Sequence, residues 1–137
     1  MKKFVRVVGA VIENEQQHIL CALRSPNMTL PNLWEFPGGK IEQNETPEQS
    51  LKREIAEELS CTVEVGEKIE EVVHEYEAVI VNLLTYKCRI TEGTPTAEEH
   101  AELRWVPLAE LNQLEWAPAD IPTIDKLLAD KINKNNA

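Results

Sequence analysis

The sequence predicts an α/β fold in which a mixed β-sheet lies between helices. Two observations carry this reading. Valine-rich apolar stretches are spaced along the chain, and one acidic helix sits among them with a second helix near the end.

Phe4 to Ile12 is rich in valine and reads as a buried strand. His18 to Leu23 is a second, and the polar turn Asn14-Glu15-Gln16 makes the two a hairpin. Ser25 to Leu33, broken by Pro26, Asn27, Pro31 and Asn32, is a loop. Trp34 to Lys40 reads as a short strand running into a tight turn at Gly38-Gly39. Thr62 to Glu77 holds Val63, Val65, Ile69, Val72 and Val73 and reads as strands bent at Gly66. After a loop at Glu75-Tyr76-Glu77, Ala78 to Ile90 is a long strand. Thr91 to Ala101 is an acidic loop leading to a strand at Leu103 to Val106. Leu108 to Leu111 makes a short helical turn, and Trp116 belongs to the core. A last helix runs from Pro122 to about Ile132, with Ile124, Leu127 and Leu128 on one face. Asn133 to Ala137 is a polar tail expected to fray.

A chain of 137 residues can bury one core and is too short for two, so one domain, 1–137, is expected. The formal charge of −10 argues against a nucleic-acid polymer as partner, because no basic patch could displace phosphate counterions. Cys21, Cys61 and Cys88 form no CxxC pair and suit reduced thiols in a cytoplasmic protein better than disulfides or a zinc site. The apolar run at the start is too short for a membrane span, and no signal-peptide cleavage pattern follows it.

The stretch from Gly39 to Cys61 concentrates the chemistry. Thr46 is the expected N-cap, Pro47 the first helical residue and Gln49 the partner in a capping box. No glycine or proline interrupts the run to Leu59, so a helix of about three turns follows. At roughly 100° per residue, Glu54, Glu57 and Glu58 fall within an arc of about 100°. Leu51, Ile55 and Leu59 form a neighbouring core-facing stripe, which puts the acids at the margin of the buried face. Carboxylates that close repel one another, and a hard divalent cation relieves the repulsion. On the helix alone, a solvated acidic face countered by Arg53 and Lys52 is the other reading.

Gly39, then Glu45, then Arg53-Glu54-Ile55-Ala56-Glu57-Glu58 resembles the Nudix box of nucleoside-diphosphate-linked hydrolases. One position departs, since the family's glycine is replaced by Ser60 ahead of Cys61. That glycine ends the helix in a left-handed conformation, which serine adopts at a cost of about 1 kcal/mol.

The resemblance implies the α/β/α Nudix sandwich, with Mg²⁺ or Mn²⁺ as cofactor. It implies hydrolysis of a free nucleoside triphosphate to the monophosphate and pyrophosphate. Its metal ligands would be Glu54, Glu57, Glu58 and the Gly39 carbonyl, joined by Glu99 once substrate is bound. Glu54 is the first choice of general base and Glu99 the second. Arg53 would orient a glutamate, with Glu45 the first candidate, by a bidentate contact. Arg24 and Lys40 are candidate phosphate contacts, Phe36 and Tyr76 candidate aromatic neighbours of the base, and Asp120 its candidate reader. The residues by themselves keep plainer alternatives open. Phe36 fits a core aromatic, Tyr76 an ordinary hairpin end, Glu99 a solvated loop and Asp120 a helix N-cap. An ionised Asp120 would only accept hydrogen bonds and would favour a guanine-type edge offering two donors.

Trp34 to Glu42 and Thr46 to Gln49 look like MutT-type enzymes that clear oxidised nucleotides, such as 8-oxo-dGTP diphosphatases. Ala117 to Pro122 is similar to the CTP pyrophosphohydrolase branch. Two other classes stay open: hydrolysis of a different nucleoside diphosphate-linked compound, and a non-catalytic nucleotide-binding Nudix module. The sequence is compatible with a monomer and with a homodimer.

Overall fold

The computed structural model describes residues 2–135, with side chains through residue 132. In chain order the elements are β1 (Lys3–Ile12), β2 (His18–Leu23), β3 (Trp34–Glu35), β4 (Gly38–Lys40), α1 (Pro47–Leu59), β5 (Thr62–Glu75), β6 (Val79–Glu92), β7 (Glu102–Pro107) and α2 (Ile121–Asn135). Short 3-10 turns occupy Leu108–Gln113 and Pro118–Asp120.

The mixed sheet has the order β4-β1-β6-β5, in which β1 runs parallel to β6 and the other pairs are antiparallel. Side chains alternate across β1, as a pleated strand requires. Val8, Ala10 and Ile12 meet Leu51, Ile55 and Leu59 of α1, together with Leu84 and Tyr86 of β6. Val11 turns the other way, into a cluster with Phe36, Trp116, and Ile124 and Leu127 of α2. Leu51, Ile55 and Leu59 are each 0% exposed, and burying a side chain of that size stabilises by about 1.5–3 kcal/mol. The sheet therefore lies between the two helices. A buried hydroxyl pair, Thr85 Oγ1 with Thr123 Oγ1 at 2.8 Å, ties α2 to its face.

A second, three-stranded antiparallel sheet, β3-β2-β7, was not expected from the sequence. It corrects two local readings. β1 and β2 do not pair along their length as a hairpin: past the turn, where the Asn14 amide donates to the His18 carbonyl at 3.1 Å, and the Glu13–Ile19 bridge, each enters a different sheet. Likewise, Trp34 to Lys40 is two strands split at Pro37, one entering each sheet. Proline has no N–H for a ladder, but its carbonyl accepts from the Ala10 amide at 2.8 Å. Thr62 to Glu75 is one long strand, with its register shifting between Val65 and Glu70, beside Gly66. The last helix starts at Ile121 and continues to Asn135, so Asn133 to Asn135 are helical and not a frayed tail; Asn136 and Ala137 lie outside the described residues.

The ends of α1 follow the sequence. Thr46 Oγ1 accepts from the Gln49 amide at 3.1 Å and Gln49 Oε1 accepts from the Thr46 amide at 2.9 Å. Ser60 closes the helix at φ 56°, ψ 37°, the left-handed conformation that favours glycine. All three cysteines are free and buried. Burial pushes the Cys21 and Cys88 thiols up to about 12 and raises that of Cys61. No described helix is long and apolar enough to cross a membrane.

Candidate active site

Arg53 organises the acids around α1. Its Nε and Nη2 hold the two oxygens of Glu45 at 2.8 and 3.0 Å, the bidentate contact expected from the sequence. Nη1 reaches Glu54 at 2.6 Å and Glu57 at 3.3 Å, and Nη2 also donates to the Lys40 carbonyl at 3.2 Å. The guanidinium, with Ser50 adding a hydroxyl bond, holds the Glu45 carboxyl down at about 2. The three helix acids differ in setting: Glu58 is buried, Glu54 half-buried and Glu57 exposed.

Burial drives the Glu58 carboxyl up to about 8, with the charges of Glu54, Glu35 and Glu99 adding to the effect. Desolvation also raises Glu54, against the pull of Arg53. Glu58 Oε2 is buried with no hydrogen-bond partner among the described residues. Orphaned oxygens of this kind are rare and call for an occupant. Gly39 supplies a second sign, because a Cβ there would run into the Glu54 carboxylate. Oxygen donors alone, one of them unpartnered, fit a hard divalent cation. Among the described residues, no three acid, histidine or cysteine side chains already converge at coordination distance. Glu54 and Glu57 share the Nη1 of Arg53.

A second group of candidates lies where β3 meets the Pro118–Asp120 turn. Trp34 and the segment after Glu115 pair through Trp34 N to Glu115 O and Ala117 N to Trp34 O, both 2.8 Å. The Asp120 carboxyl accepts from the Phe36 amide at 3.3 Å, so it reaches across the fold and does not cap α2. It is 6% exposed, and desolvation raises it well above the ordinary range, with Glu35 reinforcing the shift. Phe36 is a core residue, stacked on Trp116 with ring centroids 4.9 Å apart, and only its amide faces Asp120. Tyr76 is half-buried, and its hydroxyl accepts from the Ala119 amide at 2.9 Å, bracing the same turn.

Arg24 donates through Nη1 to Glu35 at 2.6 Å, and through Nε and Nη2 to the carbonyl and hydroxyl of Thr29 at 2.6 and 3.0 Å. Lys40 is exposed at the edge of β4. Glu99 is exposed, yet close enough for its charge to raise both Glu54 and Glu58. Two residues escaped the sequence reading, Glu35 and His100. The His100 ring is buried, and its Nε2 donates to Glu35 Oε2 at 2.8 Å. An acid between Trp34 and Phe36, in a strand too short to be a surface ribbon, was the available signal for Glu35.

The NUDIX domain family model matches residues 3–127. The chain belongs to the Nudix family. It is a Nudix hydrolase, and it is similar to the CTP pyrophosphohydrolase of Escherichia coli (strain K12), with 38% identity over 93% of this chain and 93% of that one. It is 36% identical to the 8-oxo-dGTP diphosphatase of the same organism, over 93% of this chain and 98% of that protein. The solution structure of a MutT protein from methicillin-resistant Staphylococcus aureus 252 superposes with a TM-score of 0.77 at 49% identity, covering 95% and 99% of the two chains. This Nudix chain is thus similar over most of its length to proteins named for pyrophosphate-bond hydrolysis.

Proposed function

We propose that the chain hydrolyses free nucleoside triphosphates to the monophosphate and pyrophosphate, clearing cytosine-type or oxidised-guanine nucleotides from the cytoplasmic pool. The observation that carries this reading is the buried Asp120 carboxyl on the Phe36 amide. Desolvation favours its neutral form, and a protonated carboxyl offers one donor beside one acceptor, where an ionised carboxylate offers acceptors alone. Cytosine presents an amino donor beside a ring-nitrogen acceptor. 8-Oxoguanine presents a ring N–H beside a carbonyl. Read on its N7 edge, ordinary guanine shows two acceptors, N7 and O6, where 8-oxoguanine shows the N7–H donor, and is matched poorly there. Both E. coli relatives are named for substrates within this pair.

Glu54, Glu57, Glu58 and the Gly39 carbonyl would hold Mg²⁺ or Mn²⁺, with Glu99 joining on the substrate side. Such a cation neutralises phosphate oxygens and lowers the pKa of a bound water. Glu54, half-buried and with its carboxyl raised by desolvation, is our general base. Arg53 steadies Glu54 and Glu57 through Nη1, while Arg24 and Lys40 would supply positive charge for the phosphate chain.

The test is a nucleotide panel assayed for released pyrophosphate with Mg²⁺, with Mn²⁺ and after thorough chelation. We expect no release without metal, and a kcat/KM for CTP, dCTP or 8-oxo-dGTP well above that for GTP and dGTP. Turnover that survives chelation overturns the metal assignment, and equal rates across bases overturn the role of Asp120.

A further inference from the structure

We infer that His100 is a positioning residue, fixing through Glu35 the segment that carries Glu99. This rests on the assignment of Glu99 under the proposed function. The segment is fastened at both ends by backbone bonds. Toward α1, the Thr96 amide donates to the Leu59 carbonyl at 2.9 Å and the Glu98 amide to the Glu58 carbonyl at 3.4 Å. Toward β2, the Ala101 amide donates to the Leu23 carbonyl at 2.9 Å. Between those clamps Ala97, Glu98 and Glu99 are exposed, and His100 alone turns inward.

An imidazole is unfavourable to bury without a partner, and an aliphatic side chain would fill the space more cheaply. Among the described residues the ring's Nδ1 has no partner, and its one directed bond there is Nε2 to Glu35 at 2.8 Å. The other oxygen of that carboxylate holds Arg24 at 2.6 Å. Glu35 is itself set by the pairing of β3 with β2, at Ala22. One carboxylate thereby fixes the rotation of the acid segment and the direction of the Arg24 guanidinium. Removing the His100 donor frees the segment to rotate between its clamps, and Glu99, one residue away, loses its heading.

The experiment compares His100→Leu, which keeps bulk and loses the donor, with His100→Gln, whose amide nitrogen can take the place of Nε2. Each is combined with Glu99→Gln, and kinetics are measured with Mg²⁺ and the best nucleotide of the panel. Displaced outer partners of a metal site lower activity by about 10–100-fold. We therefore expect His100→Leu to lower kcat by about that factor with KM within about threefold, and His100→Gln to restore most of it. The penalty for Glu99→Gln should shrink sharply in the His100→Leu background, since an undirected Glu99 has little left to lose. Losses that multiply independently overturn the inference and leave Glu99 in its assigned role. A Glu99→Gln enzyme as active as the parent removes that role and the inference together. If His100→Leu does not fold, Glu35→Gln takes its place in the same cycle, and an undiminished Glu99→Gln penalty there overturns the proposal.

Discussion

Arg53 takes both oxygens of Glu45, at 2.8 and 3.0 Å, and this leaves one nitrogen, Nη1, to steady Glu54 and Glu57. Glu45, just ahead of the N-cap, thus sets the orientation of carboxylates further along the helix. The fork geometry matters, because lysine is a point charge and cannot span two oxygens while reaching two more acids.

Replacing Arg53 therefore acts on acids that remain in place. Arg53→Lys and Arg53→Ala are both expected to lower kcat by about 10–100-fold, the range for residues that orient metal ligands. Isothermal titration with Mn²⁺ should show weaker binding in both. Unchanged binding and turnover in Arg53→Lys would reduce the network to ordinary surface charge.

Glu58 links stability to pH. Its folded carboxyl, at about 8, binds a proton more firmly than an unfolded glutamate near 4.5. Across that window the folded protein holds the extra proton, so this contribution is greatest at low pH and declines as pH rises toward 8. Glu58→Gln stays neutral and should flatten the decline in thermal melts run with chelator from about pH 5 to 8.5. Pyrophosphate release should fall by orders of magnitude in the same variant. Parallel slopes in parent and variant would assign the pH dependence to another group.

Ser60 sits at φ 56°, where a β-carbon is strained. Ser60→Gly should raise stability by up to about 1 kcal/mol, the strain relieved outweighing the added freedom of the unfolded chain. Chemical denaturation measures it. A loss of stability would mean that the serine makes a compensating interaction at the helix end.

Asp120 can be examined with two variants. Asp120→Asn keeps one donor and one acceptor and should retain preference among bases. Asp120→Ala leaves a buried substrate group unpaired, which costs about 1–3 kcal/mol in discrimination, a factor of about 5–150. Parent selectivity should erode as pH rises and the carboxyl ionises, while Asp120→Asn keeps a flat profile. If ratios of kcat/KM across bases do not move in Asp120→Ala, base reading lies elsewhere.

The features legible in the sequence are the local ones. Thr46, Pro47 and Gln49 announce the start of α1, and Ser60 its left-handed end, because caps depend on residues a few positions apart. The Arg53–Glu45 contact was legible because both residues lie within one continuous motif. The second sheet was not, since β3 contributes only Trp34 and Glu35, too short for any periodic signal. The pairing of His100 with Glu35 and of Asp120 with Phe36 joins positions 65 and 84 apart in the chain, and single-sequence patterns carry no such pairing. Desolvation of Asp120 was hidden for the same reason, which is why its sequence reading assumed an ionised group.

The cysteines bear on durability. Peroxide attacks thiolates, and attack follows thiolate character and solvent access. Cys21, Cys61 and Cys88 are all buried with their thiols raised, so at neutral pH almost none of their sulfur is in the reactive form. Oxidised nucleotides, one of the substrate classes proposed above, arise in the same bursts of oxidant that attack thiols. Holding its three cysteine sulfurs out of reach spares this chain's thiols from that chemistry.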